Sequence, residues 1–279
     1  MSTPTFSFET TADEVATAFS PEIKGKNVLI TGTSINGIGF EAARVIAKHA
    51  NLKDVPTANI RLLTLDLASL AAVRTAAAEV NTYAEPLHVL VNNAAAIARP
   101  TFELTVDGIE LQIAAAHVGP FLFTNLLVPK LLTSATEQYT PRVASTSETY
   151  NHVDSYCQAK AANVLSAIEL SRRSGGKINA YNIFTNINQM DEGITKMKKM
   201  GMLTPEGRPA EGHNWKNIPQ GAATTVAAAF DPLINNQPGA YLGDSAVAND
   251  AIAPHSSDPA NAERLWDVTE KIIGERFKF

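Results

Sequence analysis

Short apolar runs alternate with stretches of helical periodicity from Asn27 to the C-terminus. The runs are nearly continuous in apolar residues, which is typical of strands buried on both faces. Between them, apolar residues recur every three or four positions, as on one face of a helix. The pattern predicts strands at 27–31, 60–66, 88–94, 142–145, 177–184 and 239–242. It predicts helices at 40–49, 67–80, 103–132, 155–174, 219–230 and 258–273.

Alternating strands and helices favour a parallel sheet, because each helical crossover covers one face of the sheet. The sequence therefore predicts an α/β fold with a single doubly wound, Rossmann-like domain over residues 24–279, after an N-terminal extension at 1–23. The irregular stretch 187–218 is rich in methionine. We expect it either to pack as a loop onto the domain or to act as a lid over an apolar substrate.

Composition and charge exclude several classes of function. The chain has 279 residues, 45% of them apolar, and a formal net charge of −5, which argues against a broad nucleic-acid-binding face. Its single cysteine, Cys157, excludes an internal disulfide and a cysteine-cluster zinc site. The histidines lack metal-ligand spacing, so we expect no metal. The acidic N-terminus and the interrupted apolar stretch 118–132 predict a cytoplasmic protein without a membrane span.

A glycine-rich turn follows the first predicted strand. The segment TGTSINGIG places Gly32, Gly37 and Gly39 at the start of the next helix. Glycines let the backbone approach a pyrophosphate closely, and the helix N-terminus favours its negative charge. Such turns also occur without a ligand, but the position directly after a buried strand favours a dinucleotide site. Asn92, at the end of the third strand, is expected at the same crevice.

A tyrosine and a lysine lie four residues apart in the segment YCQAK. Tyr156 and Lys160 therefore share one face of the predicted helix 155–174. A lysine ammonium beside a phenol lowers the pKa of the phenol toward a range useful for proton transfer. The spacing alone fits a surface tyrosine and a solvated lysine equally well. Because this pair follows a nucleotide-binding half of the chain, a role in proton transfer is favoured.

Taken in order, TGTSINGIG, Asp66, NNAA, YCQAK and Thr185 resemble the short-chain dehydrogenase/reductase family. The C-terminal part from Ile218 resembles its retinol-dehydrogenase-like, fungal-type branch. This resemblance extends from about Lys24 to the C-terminus. It implies an oxidoreductase that interconverts an alcohol and a carbonyl in a small-molecule substrate, with NADP or NAD as cofactor. It also implies a homo-oligomer that associates through helices 103–132 and 155–174.

The resemblance assigns roles to single residues. Tyr156 would be the general acid/base, assisted by Lys160, which would also bind the nicotinamide ribose. A serine before the tyrosine, Ser145 or Ser147, would bind the substrate oxygen. The cofactor would contact a larger set: Gly32, Gly37 and Gly39 at the phosphates with Ile38 beside them, Asp66 at the adenine, Asn92 at the adenosine ribose and Thr185 at the carboxamide.

The chain departs from the family pattern around this site. Only NLKDVPTANI separates helix 40–49 from strand 60–66, where the family has a further strand and helix. Ala116 stands where the catalytic tetrad has asparagine, and no Pro-Gly turn precedes Thr185. We expect strand 60–66 to pair with strand 27–31, which gives about six strands and moves Asp66 toward the cofactor ribose. The alternative function is a catalytically impaired or non-catalytic relative, either a binding protein or a shortened product.

Overall fold

Six strands form one sheet in the computed structural model, which describes residues 4–50, 60–94, 102–147, 153–185, 198, 201, 203–206, 210 and 215–279, without the side chains of 147 and 153–157. The strands are adjacent in chain order: β1 Val28–Ile30, β2 Val89–Asn92, β3 Arg142–Ser147, β4 Asn179–Phe184, β5 Tyr241–Gly243 and β6 Ala246–Val247. Strands β1 to β5 run parallel, and β6 runs antiparallel to β5. The predicted α/β, Rossmann-like architecture is confirmed.

Helices cover both faces of this sheet. They are α1 Ala12–Ala18, α2 Ser20–Ile23, α3 Ile38–His49, α4 Leu70–Thr82, α5 Leu111–Ile113, α6 Gly119–Leu132, α7 Val153–Arg173, α8 Ile218–Phe230, α9 Pro254–Ser257 and α10 Pro259–Ile273. A π-helical turn, Ala114–Val118, joins α5 to α6. Local sequence signals set several ends: Ser69 caps α4, Asn217 forms a capping box with Gln220 at α8, and Gly274 ends α10 in the left-handed conformation.

The apolar strands supply two hydrophobic cores, one on each face of the sheet. Val89 and Val91 of β2 face a cluster formed with α1, α2, α3 and α8. Leu90, between them, faces a second cluster formed with α4, α6, α7 and α10. Successive side chains of a strand point to opposite faces, so a strand covered on both sides must be apolar at every position. This explains the continuous apolar runs in the sequence.

The prediction of a strand at 60–66 is wrong. No strand of the described residues pairs with the free edge of β1, and 60–66 is not part of the sheet. Leu63 and Leu65 pack against the second cluster, whereas Ile60 and Leu62 are 73% and 91% exposed. The apolar residues of this run thus reflect packing of Leu63 and Leu65 against the second cluster and not pairing with a neighbouring strand. Asp66 was expected near the cofactor ribose only because of this pairing, so that expectation has no support.

Two other boundaries differ from the prediction. The helical segment expected from 103 begins at Leu111, because Thr105 to Gly108 forms a turn closed by a bridge between Leu104 and Glu110. The sixth strand is β6, which the sequence did not predict. It follows β5 through a two-residue turn in which Asp244 and Ser245 have positive φ, as in type I′ hairpins. A strand of two residues is too short to leave a periodic signal.

One described segment, Leu111–Leu132, has the length and apolar composition that could cross a membrane. Its most apolar window is 78% buried within the protein. Within it, Leu122, Phe123 and Leu127 are fully buried in the second cluster. The apolar character of this segment is therefore that of a core helix.

The residues expected as an extension pack into the domain. Thr11 and Glu14 form a capping box at the start of α1, and α1 and α2 contribute to the first cluster. The buried ammonium of Lys216 donates to the carbonyl oxygen of Phe8 at 2.8 Å and lies 2.9 Å from the carboxylate of Asp244. The N-terminal segment is therefore tied to the segment before α8 and, through Lys216, to the β5–β6 turn.

If α1 is part of the core, truncating its central side chain lowers the stability of the whole domain. Val15 is fully buried, so Val15→Ala should lower the free energy of unfolding by about 2 kcal/mol. Val268→Ala on α10 is the matched control, because Val268 is 47% exposed and should change little. Urea unfolding checks both variants, and equal midpoints for Val15→Ala and Val268→Ala would contradict the packing of α1.

Candidate functional site

The glycine turn lies directly against the end of β2. Gly32 follows β1 with a φ of 69°, and a Cβ added there would lie 2.6 Å from the Cα of Ala94. A Cβ added at Gly39 would lie 2.3 Å from Nδ2 of Asn93. Real Cβ atoms do not approach other atoms so closely, so both positions require glycine. The two glycines thus shape a narrow backbone cradle at the carboxyl end of the sheet.

Asn93 holds this cradle together. Its Nδ2 donates to the carbonyl oxygens of Thr31 at 3.0 Å and Gly32 at 2.9 Å. The hydroxyl of Thr31 accepts in return from the backbone N–H of Ala94 at 3.0 Å. Sequence reasoning singled out Asn92 and missed this role of its neighbour. The two adjacent asparagines were the available signal. Adjacent residues of a strand face opposite sides, so the two side chains were bound to have different roles.

The N-terminus of α3 opens onto the cradle. Gly37 is the N-cap residue and provides no side-chain hydrogen bond, and Ile38 is buried behind it as the first helical residue. The first N–H groups of a helix lack partners within the helix, and the helix dipole makes this end electropositive. The predicted set Gly32, Gly37, Ile38 and Gly39 therefore forms a site suited to phosphate groups.

Lys160 joins α7 to the ends of β2 and β3. Its ammonium donates to the carbonyl oxygen of Thr146 at 3.1 Å. The Thr146 hydroxyl in turn lies 3.3 Å and 3.2 Å from the carbonyl oxygens of Asn92 and Asn93. Tyr156 lies one turn before Lys160 on α7. The side chains of Tyr156 and Ser147 fall outside the described part of the structure.

Thr185 follows β4 at the same edge of the sheet. It is fully buried, and its hydroxyl finds no partner among the described residues. An unpaired buried hydroxyl is costly, whereas a ligand amide beside it would supply a partner. The cradle at the glycine turn and the free hydroxyl of Thr185 both fit a nicotinamide dinucleotide.

Three predicted residues lie away from the cradle. Asn92 points to the other face of β2, where its Nδ2 donates to the hydroxyl of Thr124 at 2.8 Å. Ser145, its neighbour on β3, lines an interior cavity. The carboxylate of Asp66 accepts from the N–H of Ala68 at 2.9 Å in the turn before α4. The roles that the resemblance assigns to these residues stay predictions.

Ala116 lies in the π-helical turn, where it is buried. Single π-turns within α-helices are frequent at functional sites. The next glycine, Gly119, lets this turn approach the chain before α4, because an added Cβ would lie 2.2 Å from the carbonyl oxygen of Leu67. The methyl group of Ala116 supplies no hydrogen bond, so the polar contact expected from an asparagine is absent at this position.

His117 is the buried neighbour of Ala116. Its Nε2 lies 2.9 Å from the hydroxyl of Thr269, whose proton goes to the carbonyl oxygen of Leu265. Burial lowers the pKa of His117 from 6.5 to about 4, and a hydrogen bond with Asn163 acts in the opposite direction. The imidazole is therefore neutral at physiological pH, with the proton on Nε2.

The depressed pKa of His117 predicts a loss of stability in acid. The unfolded chain takes up the proton first, so the penalty begins as the pH falls below 6.5 and is complete below about 4. It amounts to about 3 kcal/mol. His117→Gln should remove this part of the pH dependence, as measured by urea unfolding between pH 7 and pH 4. The exposed His255→Gln is the control, and an unchanged slope in His117→Gln would contradict the burial of a neutral imidazole.

Comparisons with known proteins place the chain in a family. A family model described as short chain dehydrogenase matches residues 26–187, more than half of the chain. The chain is 32% identical to "Short-chain dehydrogenase TIC 32 A, chloroplastic" of Brassica napus, over 94% of this chain and 92% of that protein. It is 30% identical to "Short-chain dehydrogenase/reductase prx1" of Penicillium rubens, over 90% and 86%. The Brassica alignment spans 306 positions, more than the 279 residues here, so that relative has internal residues without counterparts.

Solved structures share the fold. An uncharacterized protein from Mycobacterium paratuberculosis matches 92% of this chain and 97% of its own with a TM-score of 0.65 at 24% identity. The Pseudomonas aeruginosa RhlG/NADP active-site complex matches 80% of this chain and 96% of its own with a TM-score of 0.60 at 21% identity. The matched family model and the relatives together show that this chain belongs to the short-chain dehydrogenase/reductase family of NAD(P)-dependent oxidoreductases, which act on small molecules.

Proposed function

We propose that the protein interconverts a small alcohol and its carbonyl compound, with Tyr156 as the general acid/base. The observation that carries this proposal is the convergence of four segments at one edge of the sheet. The glycine turn follows β1, Asn93 follows β2, Lys160 is bonded to the end of β3, and Thr185 follows β4. Ligands of open parallel sheets bind at this edge.

The chain offers separate places for the two ends of the cofactor. The backbone at Gly32 and Gly39 and the first N–H groups of α3 would hold the phosphates. Thr185 would bond the carboxamide through its buried hydroxyl. When bound, the nicotinamide accepts or donates the hydride, which is chemistry that no side chain here can supply. The protein contributes position and electrostatics.

In this proposal, residues of α7 carry out the proton transfer. In the reducing direction the phenol of Tyr156 gives its proton to the carbonyl oxygen, and in the oxidising direction it takes one from the alcohol. Lys160 is one helical turn further on, so its ammonium favours the phenolate. Its bond to the carbonyl oxygen of Thr146 holds α7 at the end of β3. We assign the substrate oxygen to Ser147, because it is the last residue of β3 at the carboxyl edge of the sheet, whereas Ser145 lines an interior cavity.

The first prediction for this function concerns the glycine cradle. Gly39→Ala places a methyl group against Asn93 and the carbonyl oxygen of Gly32, so it should open the cradle and weaken cofactor binding at least tenfold. The measurement is the thermal unfolding shift with NADPH and with NADH. A cofactor at 100 times its dissociation constant stabilises the native state by about 2.7 kcal/mol.

Gly243→Ala is the matched control, because its added methyl makes an ordinary contact, 3.5 Å from the nearest atom. It should keep the wild-type shift. If neither cofactor shifts the transition of the wild-type protein, the proposed dinucleotide site is wrong and a non-catalytic role is favoured.

Tyr156 makes the second prediction. Tyr156→Phe removes the proton that the reaction needs, so turnover should fall by about 10²-fold or more while the thermal shift with cofactor persists. Tyr83→Phe at the end of α4 is the control for loss of a phenol elsewhere, since its hydroxyl bonds Glu79 away from the crevice. Steady-state oxidation and reduction of a panel of alcohols and aldehydes provides the readout. Full activity in Tyr156→Phe would overturn the assignment of the general acid/base.

A further inference from the structure

An interior cavity lies between β2, β3 and helices α6, α7 and α10. Its volume is about 30 Å³, and its lining is mixed. Apolar side chains such as Phe121, Leu170 and Trp266 close one part of it. The polar part is lined by Asn92, Asn125, Ser145, Asn163 and Ser166. Empty cavities in proteins are typically apolar, so this polar lining calls for an occupant.

Three buried polar atoms of this lining lack a hydrogen-bond partner within the described chain: Oδ1 of Asn92, Oδ1 of Asn125 and Oγ of Ser166. Asn92 and Asn125 are 8% and 4% exposed. Their amide nitrogens are already used, in bonds to the Thr124 hydroxyl at 2.8 Å and to the Phe121 carbonyl oxygen at 2.8 Å. The two amide oxygens therefore lack donors, and a buried polar atom without a hydrogen-bond partner is unfavourable.

None of the surrounding side chains that the structure describes donates to these two oxygens. The hydroxyl of Ser166 has a single proton and can serve one amide oxygen at most. The Nε2 proton of His117 is directed at Thr269. Among the described lining residues there is no carboxylate, lysine or arginine, and His117 is neutral, so a charged ligand would lack a counter-charge there. The required occupant is neutral, small, and able to donate two hydrogen bonds while accepting others.

We propose that this cavity binds one or two ordered water molecules that join Asn92 of β2, Asn125 of α6 and Ser166 of α7. A water molecule donates two bonds and accepts two, which matches two amide oxygens and one hydroxyl. The cavity volume of about 30 Å³ exceeds the roughly 10–15 Å³ that one water needs by the same measure. The water site ties together the sheet and the helix that carries Tyr156 and Lys160, and it does not depend on the proposed function.

The test counts long-lived internal waters in solution by ¹⁷O magnetic relaxation dispersion. The double variant Asn125→Leu/Ser166→Ala removes two of the three unpaired atoms and should lose at least one such water. Ser134→Ala is the control, because that buried hydroxyl already donates to the carbonyl oxygen of Leu131 at 2.8 Å and lies outside the cavity. It should keep the wild-type count, and an equal count in the double variant would overturn the proposal.

A second measurement needs no variant. A high-resolution crystal structure of the wild-type protein should show a density peak within hydrogen-bond distance of Asn92 Oδ1, Asn125 Oδ1 and Ser166 Oγ. A cavity without density would overturn the proposal, as would density for a molecule larger than water.

Discussion

The site depends on two hydrogen bonds from one buried amide. Nδ2 of Asn93 donates to the carbonyl oxygens of Thr31 and Gly32, which fixes the glycine turn against the end of β2. Each such bond contributes only about 1 kcal/mol net, but losing the amide would leave two carbonyl oxygens without a donor in a part-buried position. The same contact explains why Gly39 cannot carry a side chain, since the amide occupies that space. This pair of hydrogen bonds, the Asn93 clamp, also positions the start of α3.

The two adjacent asparagines at the end of β2 face different environments. The side chain of Asn93 holds the glycine cradle, whereas the side chain of Asn92 faces the interior under α6 and α7. Asn92 is in register with Ser145 of β3, which is in register with Asn182 of β4. All three lie on the face of Leu90, Val143 and Ala180, which pack in the second cluster. This polar row marks where the apolar sheet ends and the crevice begins, and the interior cavity lies at one end of it.

The sequence predicted those parts of the fold that local chemistry determines. The glycine turn, most of the helices and the apolar strands that pair in the sheet followed from period and turn residues, and apart from the helix expected from 103 the structure has them within a few residues. The prediction for 60–66 failed because an apolar run that packs against a core cluster looks the same in the sequence as a strand that pairs in a sheet. The clamp by Asn93 and the interior place of Ser145 depend on which face each strand position takes. That depends on register between strands distant in the chain, which no local pattern contains.

The Brassica relative has internal residues without counterparts in this chain, and the connection between α3 and residue 60 is one place where the chain is short compared with the family pattern. The resemblance to the family implies that a strand beyond β1 would carry the residue that chooses between NAD and NADP. Among the described residues, β1 ends the sheet on that side, with Ile60 and Leu62 exposed in the chain before α4. The phosphate cradle is clamped from β2 and the Lys160 contact is made at β3, so neither needs a neighbour beyond β1. The described residues therefore include, independently of any strand beyond β1, the elements that we propose to position the phosphates, the carboxamide and the proton.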